Sequence, residues 1–110
     1  MADSFVLAVY SVTASFPKHE QFGLTQQVRR AAVSVASNIV EGCARQSKAD
    51  YLRLCDIARG SLAEALYQLS LCHRLGYLDD DALKEADTKG QEAAAALHGL
   101  MAAIRSEVSA

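Results

Sequence analysis

Six polar residues recur along one helix-length segment of the chain. Arg30, Ser34, Ser37, Asn38, Glu41 and Arg45 fall at i, i+4, i+7, i+8, i+11 and i+15, a single stripe at helical spacing. Glu41 precedes Arg45 by four residues, the favourable order for an ion pair along a helix. Asn38 and Glu41 have the chemistry to line a pocket. The stripe nevertheless holds no nucleophile with an adjacent base and no paired acid and base, which proton-transfer or hydrolytic catalysis requires. Because buried polar groups need partners, a structural polar network between helices or subunits is the favoured reading.

A second group is basic. Arg29, Arg30, Arg45, Lys48 and Arg53, with Arg59 beyond them, are the candidate nucleic-acid contacts, since several phosphates would have to meet several cations on one exposed face. Arg29 and Arg30 are about 100° apart around a helix, and Asp50 and Asp56 interrupt the later members. Solvated charges and ion pairs between subunits are therefore the first reading, and an RNA or DNA surface the second. A third group is Cys43, Cys55, Cys72, His19, His73 and His98. It contains no C-x-x-C, no H-x-x-x-H and no E-x-x-H of the di-iron bundle type, and nothing places a cysteine beside a histidine. We expect no metal, no cofactor, no catalytic residue and no small-molecule substrate, so the chain is not read as an enzyme.

The elements that must position these residues are all helical. Ala occurs 20 times and Leu 13, while the one proline, Pro17, leaves Lys18 to Ala110 free of the strongest helix breaker. Phe5, Val9, Val12 and Phe16 form one apolar stripe and predict a helix over about 3–16. Leu24 to Gly42 predicts a second, over 24–42, ending on a C-terminal glycine. Ser47 with Asp50 fits an S-x-x-D cap. Behind it Tyr51, Cys55, Ala58, Leu62, Ala65, Leu69, Cys72 and Gly76 alternate spacings of four and three, a heptad seam predicting a third helix over 48–75. Asp79-Asp80-Asp81 places carboxylates at the positive end of a fourth, over 80–107, whose seam is Leu83, Ala86, Gly90, Ala93, Leu97, Leu100 and Ile104. Short connections between four such helices predict an all-α, antiparallel up-down-up-down four-helix bundle forming a single domain over 1–110.

The second helix is apolar on more than one side. Val28, Ala32, Val35 and Ile39 serve the core, and Ala31, Val33, Ala36 and Val40 remain as a candidate oligomer interface of small residues. The chain's own second copy is the expected partner. Net charge is −2 and pI ≈ 5.8, so the molecule as a whole does not attract phosphate. Lys18 to Arg74 carries +3 and Leu75 to Ala110 carries −4, which confines any basic surface to the middle of the chain. No apolar run approaches ~18 residues, so no membrane span is expected. Asp3 before Phe5 to Tyr10, with no basic region and no cleavage signature, argues against a secretory signal. The odd count of three cysteines suits free thiols, and a cytoplasmic location is expected.

FPKHEQFGLTQQVRRAAVSVASNIVEG, then Arg45 and Ser47, Tyr51, GSLAEA at Gly60 to Ala65 and LGYL at Leu75 to Leu78 occur in an order and spacing that resembles a known family. It is the four-helix-bundle proteins first recognised as products of intervening sequences in bacterial 23S ribosomal RNA genes. The resemblance covers about Phe5 to Leu78 well and the fourth helix by pattern. It implies a cytosolic bundle assembling as a ring-shaped homopentamer, with a mostly uncharacterised role. Relatives include the accessory protein of diversity-generating retroelements, which is basic, binds nucleic acid and partners a reverse transcriptase. This chain departs from that relative in charge. Ala36 stands where many relatives carry proline, which should straighten the second helix, and Cys43 and Gln46 stand where an aromatic and a second basic residue are frequent.

Overall fold

The computed structural model describes residues 1–109, and the side chains of residues 1–107. Four helices form: α1 at Ala2–Thr13, α2 at Leu24–Cys43, α3 at Lys48–Arg74 and α4 at Asp80–Ser109, with a 3₁₀ turn at Lys18–Glu20. No strand occurs among the described residues. α2 runs through Ala36 without a break.

α1 stops at Thr13, three residues short of the expected Phe16. Phe16 precedes Pro17, whose ring disfavours helical backbone at the residue before it. The Thr13 hydroxyl donates to the Val9 carbonyl at 2.8 Å, within the last turn. Phe16 still buries itself, but against Cys72 and Leu78 in a small cluster that closes this end of the molecule.

Each helix packs on two neighbours, α1 on α2 and α4, and α3 on α2 and α4, while the backbones of the diagonal pairs stay apart. Cross-contacts fix the sense of each pair. Arg29 near the start of α2 reaches Thr13 at the end of α1, Ser34 meets Ser61, and Lys48 at the start of α3 pairs with Glu107 near the end of α4. Phe5 and Gly90 meet between α1 and α4. The arrangement is an antiparallel four-helix bundle, 50 × 24 × 17 Å.

The heptad seams face inward. Cys55, Ala58, Leu62, Ala65 and Leu69 of α3 and Ala86, Ala93, Leu97 and Ile104 of α4 share one core with Phe5, Val9, Val28, Ala32 and Val35. Met101 joins them without having been part of the expected α4 seam. Gly76 leaves the α3 seam instead of closing it. At φ +81° it ends the helix, its N–H on the His73 carbonyl and that of Tyr77 on the Cys72 carbonyl, a paired bonding that favours glycine. Ser47 caps α3 by accepting the Asp50 N–H at 3.1 Å, and Asp79 caps α4 by accepting that of Ala82 at 2.8 Å.

Gly42 is required by close approach. A Cβ there would lie 2.8 Å from Cδ1 of Tyr51 and 3.4 Å from Cβ of Leu54, so only glycine lets α2 and α3 converge at this corner.

Candidate functional site

At 100° per residue, Val28, Ala32 and Val35 share the inward face of α2, while Val33 and Val40 lie well over 100° around the helix from Val28. Neither enters a core: Val33 is 39% exposed and Val40 69%. α1 packs beside Val33, so that Asp3, Val6, Leu7, Val33, Ala36 and Ser37 line an open groove of about 310 Å³. Leu7 is exposed at its rim. Towards the start of α2 the same side continues through Tyr10, Phe22, Gln26, Arg29 and Arg30. Ala31 does not belong to this face. It was expected there with Val33, Ala36 and Val40, but it is 5% exposed and packs into the protomer's own core, because it lies only about 60° from Val28 around the helix.

Arg29 ties the groove together. Its Nε donates to the Thr13 hydroxyl at 2.8 Å and its guanidinium sits 4.6 Å from the centre of the Tyr10 ring, a cation–π contact holding α1 to α2.

The polar stripe divides into parts. Asn38 Nδ2 donates to the Ser34 carbonyl at 2.8 Å and to its hydroxyl at 3.0 Å, and the Ser34 hydroxyl meets that of Ser61 at 2.9 Å. This half-buried cluster joins α2 to α3; Ser61 was not among the expected residues, and lies on the far helix where no spacing in α2 points to it. Glu41 and Arg45 form an exposed pair at 3.0 Å. Arg30 and Ser37 are exposed and take no part in the cluster. Hydrogen bonding between helices is the chemistry such hydroxyls and an amide supply.

The basic group is not gathered on one face. Arg30 lies in the first half of α2, whereas Arg45 lies beyond the helix's end at Cys43, in the connection to α3. Lys48 pairs with Glu107 at 2.9 Å, Arg53 with Asp50 at 3.7 Å and Arg59 with Asp56 at 2.5 Å. A phosphate at these positions would compete with a carboxylate already present. Arg30 has no ion-pair partner among the described residues.

Two contacts that the sequence patterns did not reveal involve tyrosines. Tyr77 donates to Glu20 Oε2 at 2.8 Å while Glu20 Oε1 accepts the Leu24 N–H at 3.2 Å. The Tyr77 and Leu24 bonds hold the Glu20 carboxyl below its ordinary pKa, and the same bond to Glu20 raises that of Tyr77. At the opposite end Cys43 Sγ and the Tyr51 hydroxyl are 3.0 Å apart, and this bond, with burial, pushes the Tyr51 phenol up to about 12. Cys55 and Cys72 are buried and free, and burial raises both thiols, that of Cys72 to about 11. Among the described residues no three His, Cys, Asp or Glu side chains come together as a set of metal ligands.

The model of the 23S rRNA-intervening sequence protein family matches residues 1–99. The chain belongs to that family. The match takes in α1, α2, α3 and most of α4, so both the groove and the Ser34–Asn38–Ser61 cluster lie within the family's shared extent. This member of the 23S rRNA-intervening sequence family is also similar to a crystal structure from Bacteroides thetaiotaomicron, described as a protein with unknown function from the S23 ribosomal protein family. That likeness covers 91% of this chain and 94% of the other at 22% identity, with a TM-score of 0.80. At such identity it shows a shared fold. No curated protein matches the chain. No helix among the described residues of this family member is long and apolar enough to cross a membrane.

Proposed function

We propose that this chain is a non-enzymatic, self-assembling four-helix module of the cytoplasm, whose copies join into a ring through the outer face of α1 and α2. Five copies is the number the family resemblance implies. The observation that supports this reading is apolar surface left outside a completed core. Leu7 and Val40 are largely exposed and Val33 partly so, and a second copy is the simplest body to cover them. Val40→Glu tests it. The substitution adds charge at an exposed position, so the expected result is unchanged helicity with a lower particle mass. Unchanged mass in a wild type shown to be oligomeric would remove this face from the assembly.

A second reading, an accessory protein for RNA or DNA, is favoured by one observation: exposed Phe22 and Tyr10 flank Arg29 and Arg30, a pairing suited to stacked bases and phosphates. Binding to mixed-sequence RNA should then fall steeply between low and moderate salt; salt-independent binding would count against it.

A further inference from the structure

Among the described residues two buried side-chain polar atoms have no hydrogen-bond partner, Thr25 Oγ1 and Gln68 Oε1. Gln68 at least donates through Nε2 to Glu64, whereas the Thr25 hydroxyl bonds nothing. A hydroxyl stranded in this way costs stability, so its position calls for a reason. Thr25 is 7% exposed and lies in the first turn of α2, where it borders two adjoining clefts. One, of about 360 Å³, extends past Tyr10, Phe22, Gln26 and Arg30. The other, of about 230 Å³, extends past Thr13 and Lys18. Gln21, Thr25 and Arg29 are common to both. The linings bring together three cations and no carboxylate, in a chain whose acidic residues outnumber its basic ones by 13 to 11. That selects an anion.

Arg29 is already oriented to receive one. Its Nε is spent on the Thr13 hydroxyl and its guanidinium lies against the Tyr10 ring, while its terminal nitrogens have no partner among the described residues. A planar fork held in one place is the arrangement that grips a phosphate through two parallel bonds. Lys18 stands on the 3₁₀ turn, which Glu20 fastens by accepting the Tyr77 hydroxyl and the Leu24 N–H. The acid two residues from Lys18 is thereby engaged outside both linings. Phe22 is 84% exposed at the edge of the larger cleft, an apolar ring with nothing of its own to pack on, and the amides of Gln21 and Gln26 lie beside it. Aromatic rings of this kind stack on nucleobases.

We propose that the paired clefts bind one nucleoside monophosphate, its phosphate held by Arg29, Lys18 and the Thr25 hydroxyl and its base laid on Phe22. The larger cleft is at the small end of the range for small-molecule sites, about 300–1,000 Å³. A strand would need a track of cations for its successive phosphates. Beyond Arg30 the basic group supplies none, because Lys48, Arg53 and Arg59 each face a carboxylate. The site therefore suits a single nucleotide better than the RNA or DNA of the second reading above. It is independent of assembly, since Val40 lies at the other end of α2.

Calorimetric titration of the purified wild type with AMP, GMP, CMP and UMP tests this, with adenosine and inorganic phosphate as controls. At least one nucleotide should saturate one site per chain, and both controls should bind about tenfold or more weakly than it does. Thr25→Val removes the unpartnered hydroxyl at constant shape, so the free protein should melt no lower than wild type while its nucleotide affinity falls about tenfold. Phe22→Ala, at an exposed position, should leave melting unchanged and also weaken the nucleotide. Failure of all four nucleotides to saturate at millimolar concentration would overturn the proposal, as would phosphate binding as tightly as any of them. A lower melting temperature in Thr25→Val would show that the hydroxyl already has a partner, and unchanged affinity in Phe22→Ala would remove the base from the cleft; either result overturns it. Much tighter, steeply salt-dependent binding of a mixed-sequence RNA than of any mononucleotide would give the cleft to a strand and overturn it too. A wild-type particle of one chain would defeat the assembly reading alone.

Discussion

Glycines at positions 42 and 99 both sit inside helices, and their surroundings give them opposite consequences. Gly42→Ala drives a methyl against the Tyr51 ring and Leu54, so the variant should lose about 1–3 kcal/mol in urea unfolding despite the better helix former. Gly99 has nothing within 4 Å of its missing Cβ, and Gly99→Ala should gain about 0.5–1 kcal/mol. The Glu20 carboxyl, held below its ordinary pKa mainly by the Tyr77 hydroxyl, makes a pH prediction. A depressed carboxyl stabilises the fold at pH above its unfolded value and loses that contribution as pH falls through the folded one. The stability advantage of wild type over Glu20→Gln should accordingly be full at pH 7 and shrink on acidification below about 4.5; a constant difference would show that the Tyr77 contact is idle. Single residues were legible where the signal is local, as with Ser47, whose cap needs only the N–H three residues on. Ser61 and Tyr77 were not, because their partners lie 27 and 57 residues away and no short-range pattern records them.

The helices differ in how much they depend on one another. α3 is 27 residues long and capped by Ser47, so Ser47→Ala should cost about 1 kcal/mol, read by thermal or urea unfolding. α1 is only 12 residues long and has no side-chain cap, a length at which an isolated helix is marginal in water. Its attachment through Thr13, Tyr10 and Arg29 should therefore govern its opening. Arg29→Ala is expected to speed amide exchange across Ala2–Thr13 while leaving the centre of α3 protected; equal protection in both helices would contradict this. Helix existence was legible because three-and-four spacing survives over long stretches, as from Cys55 to Cys72 and from Ala86 to Ile104. The end of α1 was read too far along because Phe16 continues the apolar stripe in sequence while Pro17 turns the backbone away from the helix axis. Periodicity records which side chains are apolar, and Phe16 is buried without being helical.

At the level of the molecule, small apolar residues on α2 left two destinations open, the protomer's interior and a neighbour. The structure assigns Ala31 to the interior and leaves Val33 and Val40 outside. Ala31→Glu should for that reason unfold the protomer, burying an unpaired charge, whereas Val40→Glu should leave circular dichroism intact. Composition could not separate the two because the difference is one of angle around the helix and of where α1 settles. Association of copies of this chain is tested without any substitution by light scattering from the purified wild type at micromolar concentration. A particle several times the 11.8 kDa chain is expected, five times at the copy number that the family resemblance implies. A single species at 11.8 kDa would contradict it.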